Sequence, residues 1–448
     1  MLSPDAARDK TCAIVELARK LGADAADAVY VGDRSQSVGV RLGSLEDVHR
    51  SEGEEMGLRV FRGQRSATIS SSDLSQEALV TAVEQALAMA AEAPEDRFAG
   101  LAPEDMLFKG EAADLDLDDG DDPDPAVLRG RALTAEDAAR SVQGVTNSNG
   151  ANASASASTF AIATSHGFAG ATRATGYSCS ASVVAGEGPE MQRDYAWHSS
   201  RHLADLEAAD EIGRRAATRA VSRLRPVSIK PGVMAVLFDP RVATTLLGHF
   251  VAAISGSAIA RKASFLLDAL DTQVFARGIT IDDDPLRMRG LRSRAFDGEG
   301  LPVVASELVS DGVLTGWLAD SAAARQLGIR PTGHAIRGVS GAPGAGPSNL
   351  TIAAGSRSRE EMIAGIRHGI LVTELIGQGV NGVTGDYSRG AAGFLITDGA
   401  IGPAVAEITI ASNLKQMFAT LEPATDLVIR RGIDSPTLLV PEMTVASA

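Results

Sequence analysis

The strongest candidate for a metal ligand in the sequence is His249, in the stretch LLGHFVAAISG (246–256). Metalloprotease helices place two histidines about one turn apart so that both imidazoles reach one zinc ion, and a glutamate beside the first histidine deprotonates the bound water. Here Phe250 follows the histidine, and Ala253 and Ile254 stand where a second ligand would fall. The stretch resembles a metal-binding helix that lacks its second ligand and its base, which favours a core histidine.

The other histidines and the cysteines do not form a stronger site. Only His198 and His202 have helical i,i+4 spacing, in HSSRHL at the start of a helix predicted over 203–224, with no carboxylate between them. We expect this pair to be exposed and to bind no metal. Cys12 and Cys179 lack CxxC spacing and are expected to be reduced and buried. The sequence also has no GxSxG nucleophile elbow.

A glycine-rich segment, GQGVNGVTGDYSRGAAG (377–393), is the second candidate for chemistry. It matches neither a dinucleotide fingerprint nor a P-loop, because no Lys-Ser/Thr and no helical pattern follow. Glycines allow close backbone approach and polar side chains supply donors and acceptors, so we expect a loop that lines a cleft or faces a partner. The residues expected to do so are Asn381, Thr384, Asp386, Tyr387, Ser388 and Arg389. The alternative is a self-contained turn in which Asp386 and Arg389 brace each other.

The elements that precede these residues follow from periodicity and capping. Ser3-Pro4 predicts the start of a first helix, and short alternating segments between 28 and 72 predict an antiparallel meander. Asp73 with Gln76 predicts a capping box for a helix to about residue 91. The acidic segment at about 92–126 lacks the glycine and glutamate of an EF-hand loop and is predicted to be a solvated linker.

The second half begins after the prolines of RPVSIKPG. A buried strand ends at Asp239, which is predicted to cap the helix that carries His249. Hairpin turns are predicted at Asp311-Gly312 and Asp398-Gly399, and Ser358 with Glu361 predicts another capping box. We therefore predict an α+β fold with two domains: residues 1–225, built from strand-helix units, and residues 226–448, β-rich with a large, mostly antiparallel sheet that carries the glycine-rich segment.

Composition limits the functions that the chain can have. Its 448 residues carry a formal net charge of -15, which argues against contact with the phosphate backbone of nucleic acids. The N-terminus lacks the design of a signal peptide, and no stretch approaches the roughly 18 apolar residues of a membrane span. We expect a cytoplasmic protein without nucleic-acid or membrane partners.

Several blocks together resemble the TldD/PmbA family, also called the modulator-of-gyrase family, and specifically its PmbA (TldE) branch. These blocks are GHFVAAISGSAIARKASFLLDALDTQVF, ITIDDDP, AFDGEG, DGVLTGWLADSAAARQLG, PTGH and GVNGVTGDYSRGAAGFLITDGAI. The resemblance covers nearly the whole chain. In the TldD branch the corresponding helix reads HExxxH and binds zinc with help from a cysteine near the C-terminus. On that pattern His249 matches the first histidine, whereas Phe250 and Ile254 replace the glutamate and the second histidine, and no cysteine follows Cys179.

The resemblance implies a heterodimer in which a TldD-type subunit holds zinc and cleaves unstructured peptides or small proteins. The PmbA-type subunit would complete the enclosing chamber. We expect this chain to be that non-catalytic subunit, with no metal, cofactor or catalytic residue of its own. Open strand edges in the β-rich half would hold an extended peptide by main-chain pairing. A homodimer is the alternative assembly.

Two other functions stay open at this point. The first is a self-sufficient peptide hydrolase that uses Asp386, or the carboxylates of IDDDP (281–285) with His334. The second is a non-enzymatic, protein-binding regulator, which the gyrase-modulator name suggests.

Overall fold

The computed structural model describes residues 1–120 and 122–447. Asp121, inside the predicted acidic linker, and Ala448, the last residue of the predicted second domain, lie outside the described residues. Within the described part, helices and strands are interspersed along the chain and the strands form several separate sheets. The predicted α+β class is confirmed.

The first part of the chain forms an antiparallel sheet of six strands with helices on one face. The strands are β1 (Ala25–Arg41), β2 (Ser44–Arg62), β3 (Arg65–Ser71), β4 (Val145–Thr164), β5 (Ala169–Ala185) and β6 (Gln192–Ser200), in the spatial order β3-β2-β1-β4-β5-β6. The helices are α1 (Pro4–Lys20), α2 (Gln76–Glu92), α3 (Pro125–Arg140) and α4 (Ala209–Ser222). Alternate strand residues, such as Tyr30 and Ala161, pack against α1 and α2, and α3 and α4 cover the other end of the same face.

Helix starts and strand lengths in this part differ in detail from the prediction. Ser3 caps α1 as predicted, and its Oγ accepts a hydrogen bond from the Ala6 amide at 3.3 Å. Helix α2 is capped by Ser75, because the Asp73 carboxylate accepts the amide hydrogen bond of Ser75 itself, at 2.9 Å. The segments predicted as two short strands between 28 and 43 are one strand, β1, since the glycines there are accommodated within the extended backbone.

The two histidines predicted at a helix start lie elsewhere. Strand β6 contains His198, the turn after it contains His202, and α4 begins only at Ala209. The pair is also less exposed than expected, since His202 lies 3.1 Å from a carboxylate oxygen of both Asp116 and Asp119. Helical i,i+4 spacing therefore does not bring the two imidazoles together.

The acidic segment packs in part on the sheet face that carries no helix. Leu107 and Leu115 from this segment are buried together with Val29 of β1, Ile162 of β4 and Phe296 from the second half of the chain. The segment predicted to be a solvated linker therefore exposes its acidic side chains only in part and buries its leucines, as an amphipathic cover does.

The largest sheet of the second half closes on itself. Its strands are β7 (Gly232–Phe238), β14 (His368–Ile376), β15 (Asp386–Thr397), β16 (Ala400–Asn413), β17 (Glu422–Pro423) and β19 (Leu438–Ser447), in the order β16-β15-β14-β7-β19-β17. An additional pairing of β16 with β19 joins the two sides, and only β7 and β14 run parallel among these neighbours. The predicted large, mostly antiparallel sheet is thus present and is closed like a barrel.

A second, smaller sheet and short helices complete this half. The sheet has β8 (Ile281–Asp283), β9 (Ser306–Ser310), β10 (Val313–Leu314), β13 (Leu350–Ile352) and β18 (Ile433–Asp434), and a separate ribbon pairs β11 (Ala335–Ile336) with β12 (Gly344–Ala345). The helices are α5 (Pro240–Ala253), α6 (Gly256–Ala260), α7 (Ser321–Leu327), α8 (Arg359–Ala364) and α9 (Leu414–Thr420). One large apolar cluster joins α5 with the closed sheet and the smaller one.

The local signals of the second half are confirmed. Asp311 and Gly312 have φ of 45° and 80°, and Asp398 and Gly399 have φ of 47° and 80°, as a type I′ hairpin turn requires. At the start of α8, Ser358 and Glu361 exchange the two hydrogen bonds of a capping box. These turns set the registers of β9 with β10 and of β15 with β16.

A buried ion cluster joins the two halves. Asp27 of β1 accepts a hydrogen bond from Arg59 of β2 (Nε to Oδ2, 2.7 Å). It accepts another from Arg337, in the loop between β11 and β12 (Nη2 to Oδ1, 3.0 Å). The Arg337 side chain is 0% exposed. Beside the cluster, a Cβ added to Gly57 would lie 2.2 Å from the carbonyl oxygen of Val339, so only glycine admits this backbone contact. Buried charges are tolerated only when paired in this way.

Two further buried carboxyls lie in the AFDGEG block. Asp297 accepts hydrogen bonds from the amides of Glu299 and Leu301 (both 2.9 Å) and of Ala335 (3.1 Å). Glu299 is 4% exposed and accepts hydrogen bonds from the Ser321 amide (2.8 Å) and hydroxyl (2.7 Å) at the start of α7. Burial raises the pKa of both carboxyls, and it raises that of Glu299 to about 7.

We predict that replacing Glu299 with Gln removes part of the pH dependence of stability. The folded chain keeps a proton on Glu299 between its ordinary pKa of 4.5 and about 7, so the free energy of unfolding falls as the pH rises through that range. The full loss is about 3 kcal/mol. Glu299→Gln retains an acceptor for Ser321, so it should be more stable than the parent chain at pH 8 and similar at pH 5, by urea unfolding.

The matched control is Glu360→Gln, because Glu360 is an exposed residue of α8. That variant should follow the parent chain at both pH values. A Glu299→Gln chain that is less stable than the parent at pH 8 would contradict the prediction.

Candidate functional site

Helix α5 places His249 and its neighbours. Asp239 caps it by accepting a hydrogen bond from the Arg241 amide (3.1 Å), and Pro240 occupies the first turn, both as predicted. Phe250 is fully buried, with ring centroids 5.2 Å from Phe275 in an edge-to-face contact. Ile254, at the C-terminal end of the helix, is also 0% exposed. The two positions that would carry a base and a second ligand are therefore apolar core positions.

The imidazole of His249 lies at the edge of this core. The residue is half-buried, yet its Nε2 is buried and has no hydrogen-bond partner within the described residues. Its ring meets that of Tyr387 edge-to-face, with centroids 6.0 Å apart. Burial first, and then the charge of Arg389, lower the pKa of His249. The ring is therefore held in its neutral form.

Strand β15 brings two of the predicted loop residues to the same place. Tyr387 is 1% exposed, its hydroxyl has no hydrogen-bond partner in the described part of the chain, and burial raises its pKa. Arg389, two residues further along the strand, is 7% exposed and donates from Nε to the Ile376 carbonyl oxygen at 3.3 Å. The structure thus assembles His249, Tyr387 and Arg389 between α5 and β15.

The other predicted loop residues point outward. Asn381, Thr384, Asp386 and Ser388 are exposed. The Thr384 hydroxyl donates to Asp386 at 2.6 Å and Asn413 donates to it at 3.2 Å, and these hydrogen bonds lower the pKa of Asp386.

The predicted brace between Asp386 and Arg389 is not formed, since each has other partners. Strand β15 begins at Asp386, so alternate side chains turn to opposite faces. The two faces were not predicted, because the whole segment was expected to be a loop. An aromatic residue and an arginine two positions apart, within DYSRGAAGFLIT (386–397), were the signal for a strand with one buried face.

The donors present do not suit zinc. A zinc site needs at least three histidine, cysteine or carboxylate ligands. Across residues 1–120 and 122–447 no group of three or more such side chains is placed to hold a metal ion. The groups beside His249 are the phenol of Tyr387 and the guanidinium of Arg389. The positive charge of Arg389 disfavours binding of a metal cation there. That this chain carries no zinc stays a prediction for measurement.

Of the residues named for the hydrolase alternative, His334 and Asp283 contact each other. His334 Nε2 lies 3.3 Å from Asp283 Oδ2, and its Nδ1 lies 2.9 Å from the Thr332 hydroxyl. His334 and Asp283 are 7% and 1% exposed, however, and the Thr332 hydroxyl also donates to the Ala319 carbonyl oxygen at 3.2 Å. Asp283 in turn accepts from the Ser348 hydroxyl at 2.9 Å. This arrangement is a closed structural network without access for a peptide.

The cysteines differ in environment. Cys179 is buried in β5, as expected, and burial raises the pKa of its thiol to about 11. Cys12 of α1 is only half-buried, which corrects the expectation that both would be buried. Both are free thiols. A thiol with so high a pKa is not nucleophilic at neutral pH.

The closed sheet offers few of the open edges that were expected to hold a peptide. Strands β14 and β15 have hydrogen-bonded neighbours on both sides, whereas β16 pairs with β19 only over residues 408–411, and the two-residue β17 pairs only with β19 within the described residues. Main-chain pairing with a peptide would need one of these segments or an outer strand of another sheet, such as β3 or β6 of the first sheet or β10 of the smaller one.

Comparisons with known proteins identify the family. The PmbA/TldA metallopeptidase domain 1 matches residues 26–90, the central domain matches 118–224, and the C-terminal domain matches 231–447. Metalloprotease PmbA of Escherichia coli O157:H7 is 37% identical over 94% of this chain and 92% of its own length. The chain belongs to the PmbA/TldD family. The predicted resemblance is confirmed.

Other relatives and solved structures agree. A PmbA homolog of Haemophilus influenzae is 37% identical over 96% of this chain and 94% of its own length. The crystal structure of a candidate modulator of DNA gyrase from Bacteroides thetaiotaomicron has a TM-score of 0.91 at 26% identity, covering both chains completely. TldE from Thermococcus kodakarensis shares the fold, with a TM-score of 0.87 at 21% identity over 98% of this chain and 100% of its own. In the described residues, no helix has both the length and the apolar character to cross a membrane.

We predict that His249→Leu stabilises the chain. The substitution removes a buried Nε2 that has no partner, which is worth about 1 kcal/mol in the free energy of unfolding at pH 7. The gain should grow at pH 5.5, because the pKa of His249 is lowered in the folded state and the unfolded chain then binds a proton that the folded chain resists. Urea unfolding at the two pH values measures both effects.

The neighbouring Phe250→Ala provides the contrast, with an expected loss of roughly 3–5 kcal/mol for a fully buried ring. If His249→Leu were instead to lower stability by more than about 2 kcal/mol, the imidazole would have a structural partner.

Proposed function

We propose that this chain is the non-catalytic, PmbA-type subunit of a zinc-dependent peptidase complex. A TldD-type subunit would hold the zinc and cleave unstructured peptides or small proteins, and the two chains would form a heterodimer. The observation that carries the proposal is helix α5, in which Phe250 and Ile254 are fully buried where a base and a second ligand would be needed.

The surroundings of His249 support the same function. A catalytic zinc lowers the pKa of a bound water and needs a nearby base to use it. Beside His249 lie the phenol of Tyr387 and the guanidinium of Arg389, neither of which accepts a proton at neutral pH. Tight aromatic packing by Phe275 and Phe418 against Phe250 instead suits a helix that supports a chamber wall.

The outward side of the 377–386 loop supports a contact with the partner or with its peptide. Polar Asn381, Thr384 and Asp386 are exposed there next to apolar Ile376 and Val383, both 56% exposed. An apolar centre with a polar rim is the usual composition of a protein interface. Two free thiols also favour a reducing compartment, so we place the complex in the cytoplasm.

We predict that the purified single chain contains well under one zinc ion per chain and does not cleave an unstructured peptide. Addition of a TldD-type chain from the same organism should produce cleavage that a chelator abolishes. Metal mass spectrometry and a fluorescent peptide assay, each with and without chelator, measure both.

The outcomes separate the alternatives. Near one zinc per chain with chelator-sensitive cleavage by the single chain would refute the proposal. Cleavage by the single chain that chelator does not affect would favour the self-sufficient hydrolase. Zinc-free chain that never gains activity with the partner would favour the protein-binding regulator.

We also predict that Val383→Asp weakens assembly with the TldD-type chain roughly tenfold or more, because it places a charge in an apolar contact. The matched control is Val127→Asp, an exposed valine (46%) in the first turn of α3. Analytical ultracentrifugation measures assembly, and peptide KM reports on a role in the cleft. Unchanged assembly together with unchanged KM would exclude the loop from both roles.

A further inference from the structure

A cavity of about 250 Å³ lies between the two halves of the chain, near the start of α5. Its walls come from β6, α4, the first turns of α5 and α8, and the segment 426–435. Six arginines line it: Arg215, Arg219, Arg241, Arg359, Arg430 and Arg431. This concentration of positive charge is unexpected in a chain with a formal net charge of -15. We call it the arginine cavity.

Four of these arginines have carboxylate partners. Arg241 forms two parallel hydrogen bonds with Asp194, at 2.7 and 3.0 Å. Arg215 and Arg430 both pair with Glu207. Arg359 lies 3.5 Å from Asp239. These contacts account for the local structure of the cavity wall.

The remaining two arginines have no carboxylate partner among the ion pairs of the described residues. Arg219 donates from Nη1 to the Tyr195 carbonyl oxygen at 3.3 Å, and Arg431 lies over the Trp197 ring at 5.0 Å from its centroid. Burial lowers the pKa of both guanidiniums. At Arg219 the charge of Arg241 adds to this effect and the charges of Asp239 and Asp194 oppose it, and at Arg431 the charge of Asp239 opposes it. Two partly buried positive charges are therefore incompletely compensated.

The acids that line the cavity are already engaged. Asp239 caps α5, and Asp426 accepts hydrogen bonds from the amide and hydroxyl of Thr437 at 2.8 and 2.7 Å. Asp434 accepts the amides of residues 430–432. The charge of Asp434 opposes the pKa shift of Arg431. The carboxylate oxygens of Asp434, however, accept hydrogen bonds from backbone amides. Because Asp239 caps α5, the positive charge that lines the cavity comes from the arginines and not from the helix terminus.

We propose that the arginine cavity binds a small ligand through a phosphate-type dianion held between Arg219 and Arg431. A phosphate monoester carries between about -1.5 and -2 charges at neutral pH and three acceptor oxygens, so one such group matches two guanidiniums. The planar guanidinium is the side chain best suited to bidentate recognition of such oxyanions. A volume of about 250 Å³ leaves room for a small organic group beside the phosphate.

Titration of the full chain with inorganic phosphate and with phenyl phosphate tests the site, by isothermal calorimetry and by the melting temperature, against sodium chloride at equal ionic strength. Saturable binding of at least one probe at one site per chain is expected. Arg219→Gln and Arg431→Gln should each weaken it roughly tenfold or more, the loss expected for a charge-assisted hydrogen bond. Arg129→Gln is the matched control, because Arg129 is exposed on α3 outside the cavity.

A second variant distinguishes a loss of binding from a loss of folding. Thr244 lines the cavity from α5, so Thr244→Glu supplies a carboxylate within the chain. This variant should melt at a higher temperature than the parent chain without ligand and should no longer respond to phosphate. A phosphate response in the parent chain that is absent from a more stable Thr244→Glu chain would show that the variant has lost the anion site and not its fold.

The two probes separate the sources of the anion. Similar affinity for both would assign the site to free phosphate, and tighter binding of phenyl phosphate would assign it to a phosphorylated small molecule; either supports the proposal. Binding of the dicarboxylate succinate without either phosphate probe would overturn it. So would an absence of binding beyond the chloride control, or an equal loss in Arg129→Gln.

Discussion

The structure depends on one buried carboxylate, that of Asp27, held between two arginines from different parts of the chain. Arg59 fixes the pairing of β1 with β2, and Arg337 attaches the second half to the sheet face that carries no helix. Removal of Asp27 would leave both arginines with uncompensated buried charges, which is far more costly than the loss of a surface ion pair. Gly57 adds a steric condition, since no larger residue admits the backbone of Val339. The relative placement of the halves therefore follows from a few residues.

Local rules predicted the local structure well. The caps at Ser3, Asp239 and Ser358 and the turn at Asp398-Gly399 are confirmed because each depends on residues adjacent in sequence. The cap of α2 was assigned two residues too early, since Asp73 accepts the amide hydrogen bond of Ser75, and it is Ser75 that accepts the hydrogen bond from the amide of Ala78 in the first turn. The closure of the large sheet by β16 and β19 could not be predicted, because it joins strands that are distant in sequence and leaves no local pattern.

The candidate site shows the same limit. The sequence identified α5 as a zinc-type helix without its ligands, because ligand spacing along one helix is a local property. It could not show that Tyr387 and Arg389 turn inward to His249 while Asp386 and Ser388 turn outward, since that requires the start of β15. The arginine cavity is a stronger case, because its residues come from several separate segments that only the fold brings together.

Apolar packing also determines the form of α5. Phe250 and Ile254 fill fully buried volume and, with Phe275 and Phe418, form a continuous apolar contact. A glutamate and a histidine in those two places would lose that contact and would bury polar groups that need either a metal or hydrogen-bond partners. Helix α5 of this chain is therefore organised by apolar packing. This packing leaves the imidazole of His249 at its edge, with a lowered pKa and with no hydrogen-bond partner for Nε2 among the described residues.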